Sequence, residues 1–89
     1  MSVDEEYYTP YDWFEEGRVA EVKGDYKRAI ECYEHAIKLK PDFGKAWYYK
    51  AKAHLQLGEK QKAIECAKKA LEFKPEWKSH IDKILEEAM

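Results

Sequence analysis

The sequence predicts an all-α protein: an α-solenoid of two helix-turn-helix hairpins followed by a capping helix. One observation is an internal repeat, in which Trp47 follows Trp13 after 34 residues. Other residues recur at the same interval: Gly24 and Gly58, Ala29–Cys32 and Ala63–Cys66, Ala36 and Ala70, and Lys40-Pro41 and Lys74-Pro75. A second observation is the helical spacing of apolar residues within each copy. A repeat period of roughly 20 to 50 residues is typical of stacked units, each of which buries its apolar face only against the next.

The N-terminal residues 1–9 are predicted to be a tail outside the repeats. They are rich in acidic side chains and carry two tyrosines, Tyr7 and Tyr8, just before Thr9. Chain termini fray unless other residues hold them. The segment is therefore either a frayed tail or an arm that lays its tyrosines on the first helix.

The first repeat is predicted to occupy residues 10–43 and to open with a strong helix start. Thr9 can cap the helix, Pro10 suits its first position, and Asp12 can complete a capping box. Gly24 can adopt the left-handed conformation that ends this helix near residue 23. A second helix follows over about residues 26–39, and its apolar face consists of Ala29, Ile30, Tyr33, Ala36 and Ile37.

The second repeat is predicted to occupy residues 44–77, with the same order of elements. A third helix covers about residues 44–57, and Gly58 ends it as Gly24 ended the first. A fourth helix covers about residues 60–73. Residues 78–89 then form the capping helix, which begins near Trp77. Its inward positions are Trp77, Ile81, Ile84 and Leu85.

Both copies resemble the tetratricopeptide repeat, whose unit is a pair of antiparallel helices. The resemblance covers roughly residues 10–77. It rests on the following pairs in one register: Trp13 and Trp47, Gly17 and Ala51, Ala29 and Ala63, Ala36 and Ala70, and Pro41 and Pro75. The chain departs from the family's pattern at five residues: Glu16 and Lys50 in place of a usual leucine, Ala20 and His54 in place of a usual tyrosine, and Ala67 in place of the large aromatic residue that Tyr33 supplies in the first copy.

The resemblance implies a non-catalytic protein–protein interaction module. Its relatives hold a peptide or a partner's helix in a concave groove that is lined by the first helix of each hairpin. The groove positions of the family fall here on Tyr11, Phe14, Arg18, Glu21 and Val22 in the first helix and on Lys45, Tyr48, Lys52, Leu55 and Gln56 in the third. Tyr49 lies beside them, and Lys83 of the cap is expected to close the end of the groove.

Aromatic and cationic side chains alternate in this predicted groove. Because aromatic residues dominate the binding energy of interfaces, the predicted anchors are Phe14, Tyr48 and Tyr49. Cationic side chains steer and orient charged partners, so the predicted readers of an acidic group or a terminal carboxylate are Arg18, Lys45 and Lys52. Phe14 and Tyr48 have an alternative interpretation, in which they only pack between neighbouring helices.

The charge distribution leaves a second function open. Residues 1–44 hold 6 basic and 11 acidic side chains, whereas residues 45–83 hold 10 basic and 5 acidic, which gives balances of −5 and +5. Solvated helix faces account for this, but the polarity also fits a structural self-associating unit that forms dimers or head-to-tail assemblies. Nucleic acid is not expected as a partner, because the lysines alternate with glutamates and arginine occurs only at Arg18 and Arg28.

No catalytic residue, metal site or cofactor is expected. His35, His54 and His80 fall on three different helices, and Cys32 with His35 gives fewer ligands than structural zinc requires. His54 is interpreted as a hydrogen-bonded, partly buried histidine, and the two cysteines as buried thiols. With no leader-like start and no long apolar run in the sequence, we expect a cytoplasmic protein that does not bind membranes. The abundance of Lys and Glu and the lack of Asn fit a thermophilic source or an engineered repeat.

Overall fold

A computed structural model of the protein describes residues 5–89. These residues form five α-helices: α1 Pro10–Val22, α2 Tyr26–Leu39, α3 Gly44–Gln56, α4 Lys60–Phe73 and α5 Lys78–Ala88. Two one-turn 3-10 helices, Glu5–Tyr7 and Pro75–Trp77, precede α1 and α5, and no strand occurs among the described residues. Helices α1 and α2 pack as one hairpin, α3 and α4 as a second, and α5 covers the second. The predicted all-α solenoid of two hairpins and a cap is confirmed.

The helix boundaries follow from local residues, as the sequence predicted. The Thr9 hydroxyl accepts a hydrogen bond from the backbone N–H of Asp12 at 3.1 Å, and the Asp12 carboxylate accepts one from the Thr9 N–H at 2.8 Å. This reciprocal pair satisfies two N–H groups that the first turn leaves free. Gly24 and Gly58 have φ values of 82° and 75°, a region that favours glycine, and they end α1 and α3.

The two hairpins fill their cores differently. In the first, the ring of Tyr33 is fully buried and lies directly over Gly17. In the second, the equivalent residues are Ala67 and Ala51, both fully buried. Apolar volume is supplied there by α5, whose Ile81 packs in the same cluster as those two alanines. The cap therefore belongs to the core of the second hairpin.

The N-terminal arm is held on α1 by its second tyrosine. The Tyr8 ring meets Trp13 edge-on with centroids 5.0 Å apart, and its hydroxyl donates to Glu16 at 3.2 Å. Glu5 lies 3.6 Å from Arg28 of α2, while Tyr7 is 80% exposed. The interpretation as an arm that packs its tyrosines on the first helix holds for Tyr8, but not for Tyr7. Residues 1–4 of the predicted tail lie outside the described residues.

His54 is a buried, hydrogen-bonded histidine, as predicted. It is 6% exposed, and its Nδ1 lies 2.9 Å from Oε1 of Glu59 in the turn before α4. A carboxylate only accepts hydrogen bonds, so Nδ1 carries the proton and donates. This hydrogen bond, followed by the positive charge of Lys62, lowers the pKa of Glu59 below its usual 4.5.

The lowered pKa of Glu59 predicts that part of the stability of the folded state is lost at acid pH. A carboxylate whose pKa is lowered by folding stabilises the folded state above its unfolded pKa, and the contribution is lost as the pH falls through the folded pKa. We therefore expect Glu59→Gln to lose less stability than wild type as the pH falls below about 4.5. Urea unfolding at a series of pH values measures this difference. The exposed Glu65→Gln is the control, and equal acid slopes for wild type and Glu59→Gln would contradict the prediction.

Candidate functional site

The predicted groove residues lie on the face formed by α1, α3 and α5, which we call the groove face. Helices α1 and α3 meet where Phe14 contacts Tyr49 edge-on, with centroids 5.5 Å apart. Helices α3 and α5 meet where Tyr48 contacts Trp77 at 5.2 Å, just before α5 begins. The first helices of both hairpins and the cap thus stand side by side.

Phe14 belongs to the core of the first hairpin. It is 5% exposed, and its ring lies 5.4 Å from Phe43 and 5.7 Å from Tyr33. The packing interpretation therefore describes Phe14, and very little of its ring remains for a partner. Lys45 lies above the same ring with its Nζ 5.2 Å from the centroid, which covers it further.

A cation–aromatic row crosses the groove face. The guanidinium of Arg18 stacks 4.2 Å from the centroid of the Tyr49 ring, and Nζ of Lys52 lies 5.2 Å from the same ring. Lys52 also lies 5.6 Å from the Tyr48 ring. Cations placed over aromatic faces at these distances are held by the ring quadrupole. The row therefore presents two positive charges in fixed positions.

The two cations differ in how free they are. Arg18 donates to Glu21 at 2.9 Å, and Glu21 also accepts from the Tyr33 hydroxyl at 2.7 Å. Burial and the neighbouring Glu21 carboxylate raise the pKa of Tyr33, which therefore stays a hydrogen-bond donor. Lys52 makes no ion pair within residues 5–89. The charge of Arg18 is already compensated, whereas that of Lys52 remains available.

A pocket of about 170 Å³ lies between α3 and α5, and we call it the α3–α5 pocket. It brings together five of the predicted residues: Tyr48, Lys52, Leu55, Gln56 and Lys83. Three further lining residues, which the sequence reasoning missed, are His80, Ile84 and Glu87. They lie on α5, whose rotation about its axis the repeat pattern did not define. Tyr48 is half-buried here, and burial raises the pKa of its hydroxyl.

Other predicted residues lie away from this pocket. Tyr11 is 59% exposed and rests against Phe43, with centroids 5.4 Å apart. Val22 is 81% exposed at the far end of α1. Arg18, Glu21 and Tyr49 form the neighbouring part of the groove face. The structure therefore divides the predicted groove into a half that is already paired and a half, at α3 and α5, that is open.

A larger groove lies on the opposite side of α3, and the sequence reasoning did not identify it. It has a volume of about 610 Å³ and is lined by Glu34, Trp47, Lys50, His54, Lys62, Glu65, Cys66, Lys68, Lys69 and Glu72. We call it the Trp47 groove. With 3.6 residues per turn, Trp47, Lys50 and His54 share one side of α3, about opposite to Lys52. The signal that could have found it is the replacement of Glu16 and Glu34 by Lys50 and Lys68 in the second copy.

Further properties of the described residues 5–89 that bear on function are their metal-binding groups, their thiols and the length and polarity of their helices. No group of three or more His, Cys, Asp or Glu side chains there is close enough to hold a metal ion. Cys32 and Cys66 are buried free thiols, and burial raises the pKa of both, which disfavours the reactive thiolate. Across the same part of the chain, every helix is too short or too polar to span a membrane.

Comparisons with known proteins agree on the architecture. A family model described as tetratricopeptide repeat matches residues 14–76. Two solved structures, the crystal structure of MamA and that of the MamA protein, superpose with a TM-score of 0.74 at 20% sequence identity over 90% of this chain. The chain spans 56% and 52% of the length of those two chains. At that identity the likeness concerns the fold alone. No curated protein matches the chain.

Proposed function

The chain belongs to the tetratricopeptide repeat family, and from this premise we propose that it binds a peptide or helix of a partner protein on its groove face. The family is one of protein–protein interaction modules that generally act as non-catalytic scaffolds. The observation that carries the proposal is the α3–α5 pocket, where Lys52 stands unpaired beside the half-buried ring of Tyr48.

The chemistry of the pocket favours a segment with an acidic group next to an apolar side chain. Lys52 and Lys83 both line it, and neither makes an ion pair within residues 5–89. Leu55, Ile84 and the Tyr48 ring supply apolar wall. Glu87 also lines the pocket; its charge opposes a purely acidic ligand and so favours one carboxylate placed close to the two lysines.

Two substitutions test this assignment. With a peptide selected from a library against the intact protein, we expect Tyr48→Ala to weaken binding by about 1–2 kcal/mol, because it removes an aromatic anchor. Lys52→Glu is expected to weaken it by at least about tenfold, because it reverses the charge that faces the ligand. Calorimetric titration gives both affinities, and circular dichroism checks that helicity is retained.

The control makes the same lysine-to-glutamate change at a position outside the pocket. Lys27→Glu alters an exposed lysine on α2, outside the residues that line the pocket. It is expected to bind like wild type. If Tyr48→Ala and Lys52→Glu also bound like wild type, the peptide would be docking elsewhere and the assignment would fail.

Self-association is a second candidate, favoured by the balances of −5 in residues 1–44 and +5 in residues 45–83. Opposite charge at the two ends favours head-to-tail contacts, and such contacts weaken with salt. For this function we expect the weight-average mass in sedimentation equilibrium to rise with protein concentration and to fall with added salt. A mass that stays at one chain under all these conditions would eliminate it.

A further inference from the structure

The first hairpin covers its own tryptophan with the N-terminal arm. Trp13 is 7% exposed, because Tyr8 meets it edge-on and His35 of α2 stacks on it with centroids 4.2 Å apart. Two polar contacts fasten the arm there, from the Tyr8 hydroxyl to Glu16 and from Glu5 to Arg28. An acidic segment with a tyrosine is thus the natural cover of this site.

The second hairpin has the same tryptophan without those two ring contacts, and the indole N–H of Trp47 donates to the Pro41 carbonyl at 2.9 Å. Residues equivalent to Tyr8 and His35, found 34 positions later, are Asp42 and Lys69. Asp42 has no ring and pairs with Lys40 at 3.1 Å, and the ammonium of Lys69 lies over the Phe73 ring, 3.8 Å from Glu72. Trp47 is consequently only half-buried and lines the groove of about 610 Å³.

The charge of this groove has changed in the direction that an acidic segment requires. Six charged residues of the groove have an equivalent 34 positions earlier. The first copy has Glu16, Arg28, Glu31, Glu34, His35 and Lys38 there, and the second copy has Lys50, Lys62, Glu65, Lys68, Lys69 and Glu72. The formal charge changes from −1 to +2 with histidine neutral, and Glu34, which also lines the groove, reduces the charge of the lining to +1.

Three of the four groove lysines, Lys62, Lys68 and Lys69, retain charge for a ligand in spite of those glutamates. Lys62 and Lys69 are 65% and 52% exposed, and their carboxylate contacts are long, at 3.7 and 3.8 Å. Exposed pairs of this kind contribute little and exchange readily. Lys68 makes no ion pair within residues 5–89. Lys50 lies 5.2 Å above the Trp47 ring but pairs with Glu34 at 3.3 Å, so its charge is compensated and Lys62, Lys68 and Lys69 are the cations that face a ligand.

We propose that the Trp47 groove is a second docking site, which binds an acidic, tyrosine-bearing segment of a partner protein. The tyrosine packs on Trp47 as Tyr8 packs on Trp13, and the carboxylates approach Lys62 and Lys69 as Glu5 approaches Arg28. The arm of the chain itself is already committed to Trp13 by its own contacts. A partner chain therefore supplies the segment.

The probe is a synthetic peptide with the sequence of residues 2–9, SVDEEYYT, added to the isotope-labelled intact protein. The three tryptophan indole N–H signals are assigned with Trp13→Phe and Trp47→Phe. We expect the peptide to shift the Trp47 signal in a saturable manner. A peptide with both tyrosines replaced by alanine, or with both glutamates replaced by lysine, is expected to bind at least about tenfold more weakly.

Charge reversal in the groove provides the matched test. The double variant Lys62→Glu/Lys69→Glu is expected to weaken the peptide at least about tenfold. Lys60→Glu, an exposed position of α4 outside the groove, leaves binding unchanged. Tyr48→Ala and Lys52→Glu, on the opposite face of α3, also leave it unchanged, so failure of the groove-face proposal would be distinguished from failure of this one.

Three results would overturn the proposal. The first is no shift of the Trp47 signal at millimolar peptide, or a shift of the Trp13 signal alone. The second is binding that is insensitive to the double variant. The third is a concentration-dependent dimer that disappears when residues 1–8 are deleted, since the groove would then hold the arm of a second copy.

Discussion

Gly17→Ala is expected to lower the free energy of unfolding by about 1–3 kcal/mol, although alanine is the better helix former. A Cβ at this position would overlap Cε1 of Tyr33 and lie 2.7 Å from its Cδ1. The Tyr33 ring cannot swing away, because it is fully buried and its hydroxyl is held by Glu21 at 2.7 Å. The gain in helix propensity is at most about 1 kcal/mol, so the steric cost outweighs it. Urea unfolding followed by circular dichroism measures the change.

The same contact predicts a strong coupling between the two residues. Tyr33→Ala alone is expected to cost about 3–5 kcal/mol, by comparison with aromatic-to-alanine substitutions in other cores. The double variant Gly17→Ala/Tyr33→Ala is expected to cost less than the sum of the single variants, since the new methyl group enters the space that the ring leaves. The second hairpin already carries this pair as Ala51 and Ala67.

The control for this cycle is Ala51→Gly. It removes a methyl group at the equivalent position, where no tyrosine ring lies opposite, and is expected to cost about 1 kcal/mol from helix propensity together with the lost packing of a buried methyl. Additive effects of Gly17→Ala and Tyr33→Ala would contradict the proposed contact. So would an increase in stability of the single variant Gly17→Ala.

The architecture could be predicted because its signals are local. Thr9 with Asp12 defines where α1 begins, and Gly24 and Gly58 define where α1 and α3 end, without reference to the rest of the fold. The 34-residue period then predicts that the two units have the same fold and stack on each other. The capping helix α5 begins at Lys78, directly after the one-turn 3-10 helix Pro75–Trp77.

The groove face could be predicted only in part. Helical spacing predicts that Tyr48, Lys52 and Leu55 share one side of α3, and they do line one pocket. Spacing along one helix does not reveal what neighbouring residues cover. The sequence therefore left two interpretations of Phe14 open, and its burial against Phe43 favours the one in which it packs in the core.

The Trp47 groove was missed for a different reason. The groove is open because Asp42 and Lys69 stand where the first copy has the aromatic rings of Tyr8 and His35. The pattern of one copy alone gives no sign of this. A comparison of the two copies, position by position, would have indicated it.

Ile81→Asp is expected to detach the cap helix α5 from the second hairpin and to lower the free energy of unfolding strongly. Ile81 is fully buried in a cluster with Cys66, Ala67 and Ala70 of α4. A carboxylate at this position would lose its hydration and gain no hydrogen-bonding partner. Together with the loss of the apolar side chain, we expect this to lower the free energy of unfolding by at least about 4 kcal/mol. A domain of 89 residues has a total stability of only about 4–13 kcal/mol, at about 0.05–0.15 kcal/mol per residue.

The expected result is a protein in which the first hairpin keeps more structure than the second. The large buried aliphatic side chains of the second cluster, Ile81 and Ile84, come from α5, whereas the first hairpin buries Trp13, Phe14 and Tyr33 of its own helices. Tryptophan signals resolve the two halves, since Trp77 and Trp47 should change before Trp13 as urea is added. Lys83→Asp places the same residue on the exposed side of α5 and is expected to change stability by no more than about 0.5 kcal/mol. An Ile81→Asp protein that unfolds at the wild-type urea concentration would mean that the second hairpin holds its core without the cap.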